Sequence, residues 1–154
     1  MTEPRWLDET EARVWRAQLR LQRELMGALW RRLARESGLS GAEYELLAAL
    51  SETPGGVVRA RDLGQGVYWE RSRLSHQISR MEKRGLVARE ECPEDARGAM
   101  VRLTDKGRAA IEAAAPGHVE AVREYFFDGL SREEVETLDK VLGRLLAGLP
   151  DDRR

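Results

Sequence analysis

Residues 67–87, with the sequence VYWERSRLSHQISRMEKRGLV, constrain the possible fold more than any other part of the chain. Leu74, Ile78 and Met81 follow one another at intervals of four and three residues, which predicts a helix with one apolar face. The other positions are mostly polar or basic, and no acidic residue occurs between Arg71 and Met81. The segment therefore predicts a helix that packs on a core through one side and presents a polar, basic side outwards.

The outward side of this helix carries guanidinium, amide, hydroxyl and imidazole groups, which bond base edges and phosphates in protein–DNA complexes. Arg73 and Gln77 are four residues apart, so they share one side of the helix and are candidates for contacts with bases. A solvated surface helix is the alternative, because such helices also alternate apolar and charged residues. Three residues in and near this helix are expected to hold phosphates, namely Arg61, Arg80 and Lys83. The full set of predicted DNA contacts in and near this helix is Arg61, Ser72, Arg73, Ser75, His76, Gln77, Arg80 and Lys83.

Positive charge is concentrated around this helix, although the whole chain of 154 residues has a formal net charge of -1. Residues 57–89 contain eight basic and three acidic residues, whereas residues 1–56 and 90–154 have net charges of -1 and -5. A protein that binds a polyanion through one patch and is acidic elsewhere has this distribution.

Several classes of protein are disfavoured by composition and motifs. No apolar run approaches the roughly 20 residues that cross a bilayer, and the N-terminus is too charged for a signal peptide, so we expect a cytoplasmic protein without a membrane partner. Cys92 is the only cysteine, which excludes an intramolecular disulfide; a redox role and a simple small residue beside Pro93 are both open. His76 and His118 lie on different predicted helices, and no nucleotide-binding or zinc-hydrolase motif occurs, so we expect no enzyme, metal or cofactor.

The segments next to this helix complete a winged helix-turn-helix pattern. A short helix and a two-residue turn precede it, as in a helix-turn-helix, and Gly85 favours a helix end that leads directly into a strand. Two runs that alternate apolar and polar residues, separated by the sequence CPEDARG, predict a β-hairpin with a loop. The predicted ranges are a minimal strand at 57–58, the short helix at 60–67, the turn at 68–69, the hairpin strands at 86–91 and 100–103, and the loop at 92–98.

Long helices are predicted on both sides of this winged module. The first runs from about residue 10 to 35 with apolar residues on more than one face. Thr104 and Ser131 begin two more helices, and Pro116 should interrupt and kink the first of these two. The terminal helices have more apolar surface than one small domain hides, which favours a dimer. We therefore expect one mainly α domain with a small β-hairpin wing, a winged helix-turn-helix over 40–104 and a helical dimerisation region from 1–36 and 105–154.

In combination, these features resemble the MarR family of transcriptional regulators. The resemblance covers roughly residues 10–149 and rests on YWERSRLSHQISRMEKRGLV at 68–87, CPEDARG at 92–98, VRLTDKG at 101–107 and SREEVETL at 131–138. It implies a homodimer whose first and last helices interleave, with two winged modules in successive major grooves of a near-palindromic site. It also implies that Arg97 in the wing reaches a minor groove and that Asp95 orients the wing through an ion pair. A plain loop ion pair is the alternative.

The resemblance further implies a crevice for a small, largely apolar ligand where the dimer helices meet the winged module. The aromatic residues that could line it are Trp15, Trp30, Tyr44, Tyr68 and Trp69; ordinary core packing is the alternative. Tyr68 and Trp69 directly precede the helix predicted to contact DNA, which is called the recognition helix below. A ligand bound beside them would therefore change the distance between the two recognition helices of the dimer. We expect a DNA-binding transcriptional regulator, a repressor that such a ligand releases. The alternative is a winged-helix module for protein interaction, or a regulator that has lost DNA binding.

Overall fold

A computed structural model describes residues 1–92 and 94–151, with only the backbone described for residues 95–97. The described chain forms six α-helices, three β-strands and two short 3-10 turns. The helices are α1 (Glu9–Ser37), α2 (Gly41–Ser51), α3 (Ala60–Val67), α4 (Arg71–Lys83), α5 (Asp105–Tyr125) and α6 (Arg132–Ala147). The strands are β1 (Val57–Arg59), β2 (Val87–Cys92) and β3 (Asp95–Leu103). This order confirms the predicted fold class, and none of the described helices is long and apolar enough to span a membrane.

Local side-chain patterns set most of the helix ends. In the sequence, Ser40 followed three residues later by Glu43 predicts a capping box. Ser40 accepts a hydrogen bond from the backbone N–H of Glu43, and the Glu43 carboxylate accepts one from the backbone N–H of Ser40, so this capping box begins α2. The recognition helix α4 ends at Lys83, two residues before Gly85, whose φ of 74° lies in the left-handed region that glycine tolerates. The N–H of Leu86 then donates to the carbonyl of Met81 at 3.0 Å, which closes the last turn of α4.

One apolar core holds α4 against the rest of the winged module. The predicted inward residues of α4 are buried, with Leu74 4%, Ile78 2% and Met81 0% exposed. They pack with buried residues of α2, α3, the sheet and α5, and these include Leu46, Leu47, Leu50, Leu63, Val101 and Ile111. Because all three apolar residues of α4 point into this core, the rotation of α4 about its own axis is fixed.

The three strands form an antiparallel sheet in the order β1-β3-β2. The prediction of an open loop over 92–98 is wrong, since β3 begins at Asp95 and Cys92 pairs with it. The next pair joins Glu91 to Ala99, so residues 96–98 form a bulge within the hairpin. Aspartate and glycine in this segment therefore belong to a bulged strand, although the same residues are common in loops. The side chains of Asp95 and Arg97, with their predicted roles, lie outside the described residues.

The long helices differ in how much of their surface is covered. Helix α5 runs through Pro116 as one element of 21 residues, so the predicted interruption is wrong. The missing N–H of Pro116 removes one helical hydrogen bond, the one to the carbonyl of Glu112, and Glu112 is an exposed residue of α5. Helix α1 packs on α5 but buries only Leu29 and Leu33, both in its second half. None of the residues of α6, all of which are described, is buried within the single chain.

Candidate DNA-binding surface

Five of the eight predicted DNA contacts whose side chains are described meet on one side of α4. Together with Ala42 and Trp69, they line a shallow depression on the outer surface of the winged module. The five residues are Ser72, Arg73, His76, Gln77 and Arg80. The structure therefore brings four of the five predicted base-contacting residues, all except Ser75, together with one predicted phosphate contact. Arg61 and Lys83 are exposed on α3 and in the last turn of α4.

Arg73 is held in place by the turn that precedes its helix. Its guanidinium carbon lies 4.0 Å from the centre of the Trp69 ring, in a cation–π contact. Trp69 itself is fixed by a hydrogen bond of 3.0 Å from its backbone N–H to the carbonyl of Gly64. Tyr68, next to it, takes the left-handed conformation with a φ of 58°, which turns the chain sharply from α3 into α4. The helix-turn-helix thus orders Arg73 before any partner binds.

Ser75 does not line this depression and faces a cavity between α3, α4 and the sheet, as Arg61 does. Its backbone carbonyl and its hydroxyl accept hydrogen bonds from the guanidinium of Arg89, at 2.9 and 3.2 Å. Arg89 belongs to β2, so Ser75 joins α4 to the wing. The sequence predicts no contact for Arg89 beyond its contribution to the positive charge of residues 57–89. A sequence signal for this contact is present, because Ser75, Ser79 and Glu82 are spaced by four and three residues and form a polar stripe directly beside the apolar stripe.

A second set of contacts fixes the C-terminal end of α4. Glu43 is 6% exposed, and besides capping α2 it forms an ion pair with Arg84. Arg84 also donates to the carbonyl of Gly38 at 3.4 Å, at the end of α1. Lys106 of α5 donates to the carbonyl of Arg84 at 2.8 Å. These bonds tie the end of the recognition helix to the junction of α1 and α2 and to the start of α5, and the sequence predicted only the cap.

The five aromatic residues predicted to line a ligand crevice are not brought together in the single chain. Trp30 and Tyr44 contact His118 of α5, with ring centres 5.5 and 4.4 Å from the imidazole. Tyr68 and Trp69 line a separate cavity of about 640 Å³ between α3, α4 and the sheet. Trp15 lies in the exposed first half of α1, and 56% of it is accessible. Among the described residues, no group of three or more histidine, cysteine, aspartate or glutamate side chains is arranged to hold a metal ion.

His118 should make the stability of the fold depend on pH. Burial lowers the pKa of His118, so between this lowered value and the ordinary pKa of about 6.5 the unfolded chain binds more protons. The free energy of unfolding should therefore be highest above about pH 6.5 and fall as pH decreases through the lowered pKa. His118→Gln should remove this part of the pH dependence, whereas His76→Gln on exposed α4 should leave it. Denaturation midpoints over this pH range test it; identical profiles for His118→Gln and the unsubstituted protein would contradict it.

Comparisons with known proteins identify the family to which the chain belongs. A sequence profile of the MarR family matches residues 37–98. Sco3205, a MarR family transcriptional regulator from Streptomyces coelicolor whose crystal structure is a complex with DNA, is 39% identical, with a TM-score of 0.92 over 99% of this chain and 96% of that one. The chain belongs to the MarR family of transcriptional regulators. The transcriptional regulator HosA of Escherichia coli O111:H- is 32% identical over 108 residues, 70% of this chain and 78% of HosA.

The MarR-family likeness extends beyond the winged module. The profile ends at residue 98, but the similarity to Sco3205 covers nearly the whole chain and so includes the long terminal helices. The HTH-type transcriptional regulator YdgJ of Bacillus subtilis is 31% identical over 109 residues, and the matched segment spans 65% of its length. The sequence resemblance to this family is therefore confirmed over both the winged module and the helices that flank it.

Proposed function

We propose that this MarR-family regulator binds double-stranded DNA through α4, which enters the major groove, with the β2–β3 wing beside it. The observation that carries the proposal is the depression on α4, where Arg73, Gln77 and His76 lie on one exposed side while the opposite side is buried in the core. A helix fixed in this way presents the same side chains to every DNA site, as base recognition requires. The DNA complex of Sco3205 supports the same use of the fold.

We infer that the protein acts as a homodimer on a near-palindromic site. Large apolar side chains stay exposed on the first half of α1 and along α6, at 63% for Val14, 59% for Leu145 and 68% for Leu146. Several large apolar side chains exposed on one element usually mark a surface that a partner covers. A second copy of the chain would cover both helices at once, and its two-fold symmetry would give two recognition helices that read two related half-sites.

Selection of bound sequences from random duplex DNA tests the proposed function directly. We expect one enriched site with two related halves, and an affinity that falls by orders of magnitude between low and moderate salt because phosphate contacts release counterions. Failure to enrich any sequence, together with binding that salt does not change, would contradict DNA recognition. That result would favour a winged-helix module that binds another protein.

Substitutions on the selected site should separate base contacts from phosphate contacts. Arg73→Ala or Gln77→Ala should cost roughly 1 to 3 kcal/mol and change the preference at one or two base pairs. Lys83→Ala should weaken binding to all sequences alike and reduce the salt dependence by about one counterion per contact. Titrations of each variant against the selected site and single base-pair changes measure both effects. Equal losses on all sequences from all three variants would contradict this division.

We also propose that the protein is a repressor, and that a small, largely apolar ligand releases it from DNA. Two places support a ligand: the cavity beside Tyr68 and Trp69, and the cluster of Trp30, Tyr44 and His118 between α1, α2 and α5. Either place borders an element that positions α4. A ligand that weakens DNA binding must itself be bound more weakly in the presence of DNA, by the same factor. A screen of small aromatic acids by tryptophan fluorescence, repeated with and without DNA, measures this linkage; equal affinities would contradict it.

A further inference from the structure

Arg89 of β2 makes five hydrogen bonds to the recognition helix. One guanidinium nitrogen donates to the hydroxyl of Ser79 at 2.9 Å and to the Glu82 carboxylate at 3.4 Å. The other donates to the carbonyl and the hydroxyl of Ser75 at 2.9 and 3.2 Å. The backbone N–H of Arg89 donates to the second carboxylate oxygen of Glu82 at 3.1 Å. One side chain therefore spans two turns of α4.

The three acceptors of Arg89 form a single polar stripe on α4. Ser75, Ser79 and Glu82 are spaced by four and three residues and run parallel to the buried apolar stripe. The hydroxyl of Ser79 also donates to the carbonyl of Ser75 at 3.1 Å, so the acceptors are themselves joined. Hydrogen bonds that involve a charged group are about twice as strong as neutral ones, and a planar guanidinium directs several of them at once. The contact is therefore rigid as well as strong.

The Arg89 side chain is also partly withdrawn from solvent. Only 32% of it is exposed, and Glu82 next to it balances its charge. A guanidinium used in this way has few donors left for a DNA phosphate. Arg89 lies within the basic segment 57–89, yet its bonds all point towards α4 instead of towards a partner.

We propose that Arg89 is a positioning residue that locks the wing onto the recognition helix, so that the two DNA-contacting parts bind as one rigid unit. Arg89 contributes to affinity by fixing the wing, and it neutralises no phosphate. This inference rests on the proposed function, since it concerns how the DNA-binding surface is assembled. It assigns Ser75 and Ser79 to the same lock, and so gives Ser75 a role in addition to any contact with DNA.

The test uses the full-length protein and two lengths of the selected operator. One duplex includes the base pairs that the wings reach outside the recognition helices, and the other ends before them. Arg89→Ala should bind the long duplex about tenfold more weakly than the unsubstituted protein, because several charge-assisted hydrogen bonds to α4 are lost. It should bind the short duplex with nearly unchanged affinity. The slope of affinity against salt concentration should stay the same, since no counterion-releasing contact is removed.

Arg102→Ala is the matched control. Arg102 lies on β3 of the same sheet, and its guanidinium bonds Glu90 of β2 instead of α4, so its replacement removes the same charge without removing a bond between Arg89 and α4. We expect this variant to behave like the unsubstituted protein on both duplexes. Ser79→Ala provides a second test that keeps every charge: it removes one acceptor of Arg89 and should give a smaller loss, again only on the long duplex.

Three results would overturn the proposal. The first is a loss for Arg89→Ala that is equal on both duplexes and accompanied by a lower salt slope, which would make Arg89 a phosphate contact. The second is unchanged affinity of Arg89→Ala on the long duplex. The third applies if Arg89→Ala melts at a lower temperature and binds neither duplex, so that Ser79→Ala must decide whether the proposal holds. In that case, equal affinity of Ser79→Ala and the unsubstituted protein for the long duplex would overturn it. Failure of the unsubstituted protein to bind any DNA would instead contradict the proposed function.

Discussion

Replacing both Leu142 and Leu145 by glutamate should convert the protein into a monomer and lower its affinity for the operator by about 100-fold or more, because one recognition helix then contacts only one half-site. These leucines are 50% and 59% exposed in the single chain. In the proposed dimer they would be covered, and two unpaired carboxylates in an apolar interface cost several kcal/mol. Sedimentation at micromolar concentration and DNA titration measure the two effects together.

Lys140→Glu serves as the control for this experiment. Lys140 lies on α6 two residues before Leu142, but on another side of the helix from both leucines, and it is exposed. Its replacement by glutamate changes the net charge by the same two units as the double leucine substitution. We expect Lys140→Glu to remain dimeric and to keep most of its DNA affinity. A double leucine variant that sediments as a dimer with undiminished affinity would show that α6 is not part of the interface.

Elements that depend on neighbouring residues could be predicted from the sequence. The start of α2 follows from Ser40 and Glu43, and the end of α4 follows from Gly85, because each bond involved joins residues within one turn. The rotation of α4 follows from the spacing of its apolar residues. The exposed face with Arg73 and Gln77 follows from the same spacing, so most of the candidate DNA-binding surface was predictable.

Contacts between distant parts of the chain were not predictable in the same way. Glu43 and Arg84 are 41 residues apart, and nothing in either segment indicates that a capping carboxylate will also form a partly buried ion pair. The start of β3 was missed because a bulged hairpin has the composition of a loop. The predicted ligand crevice combines all five aromatic residues, whereas the structure separates Trp30 and Tyr44 from Tyr68 and Trp69. Pairing of this kind depends on which elements pack together, and single-sequence periodicity does not contain that information.

Gly107, within the segment LTDKG, lies where three elements of the fold meet. The Thr104 hydroxyl accepts a hydrogen bond from the backbone N–H of Gly107 at 3.0 Å and donates to the carbonyl of Gly85 at 2.6 Å. The first turn of α5 is thereby held directly against the chain that joins α4 to β2. A Cβ atom at Gly107 would overlap the backbone carbonyl of Leu86 and lie 2.8 Å from Cδ1 of Leu103. Backbone atoms of a neighbouring element cannot move aside as a flexible side chain can.

Gly107→Ala should therefore destabilise the protein by about 3 kcal/mol or more, since an added methyl group forces a shift of packed backbone. Gly66→Ala is the control, because Gly66 also lies in a helix but a Cβ there meets no atom within 4 Å. Alanine at Gly66 should stabilise by roughly 0.5 to 1 kcal/mol through its higher helix propensity. Chemical denaturation followed by circular dichroism, at one fixed protein concentration so that dimerisation contributes equally, compares the two variants. Equal midpoints for Gly107→Ala and Gly66→Ala would show that α5 does not pack as closely on Leu86 as the structure indicates, and that the wing and recognition helix are not positioned through this contact.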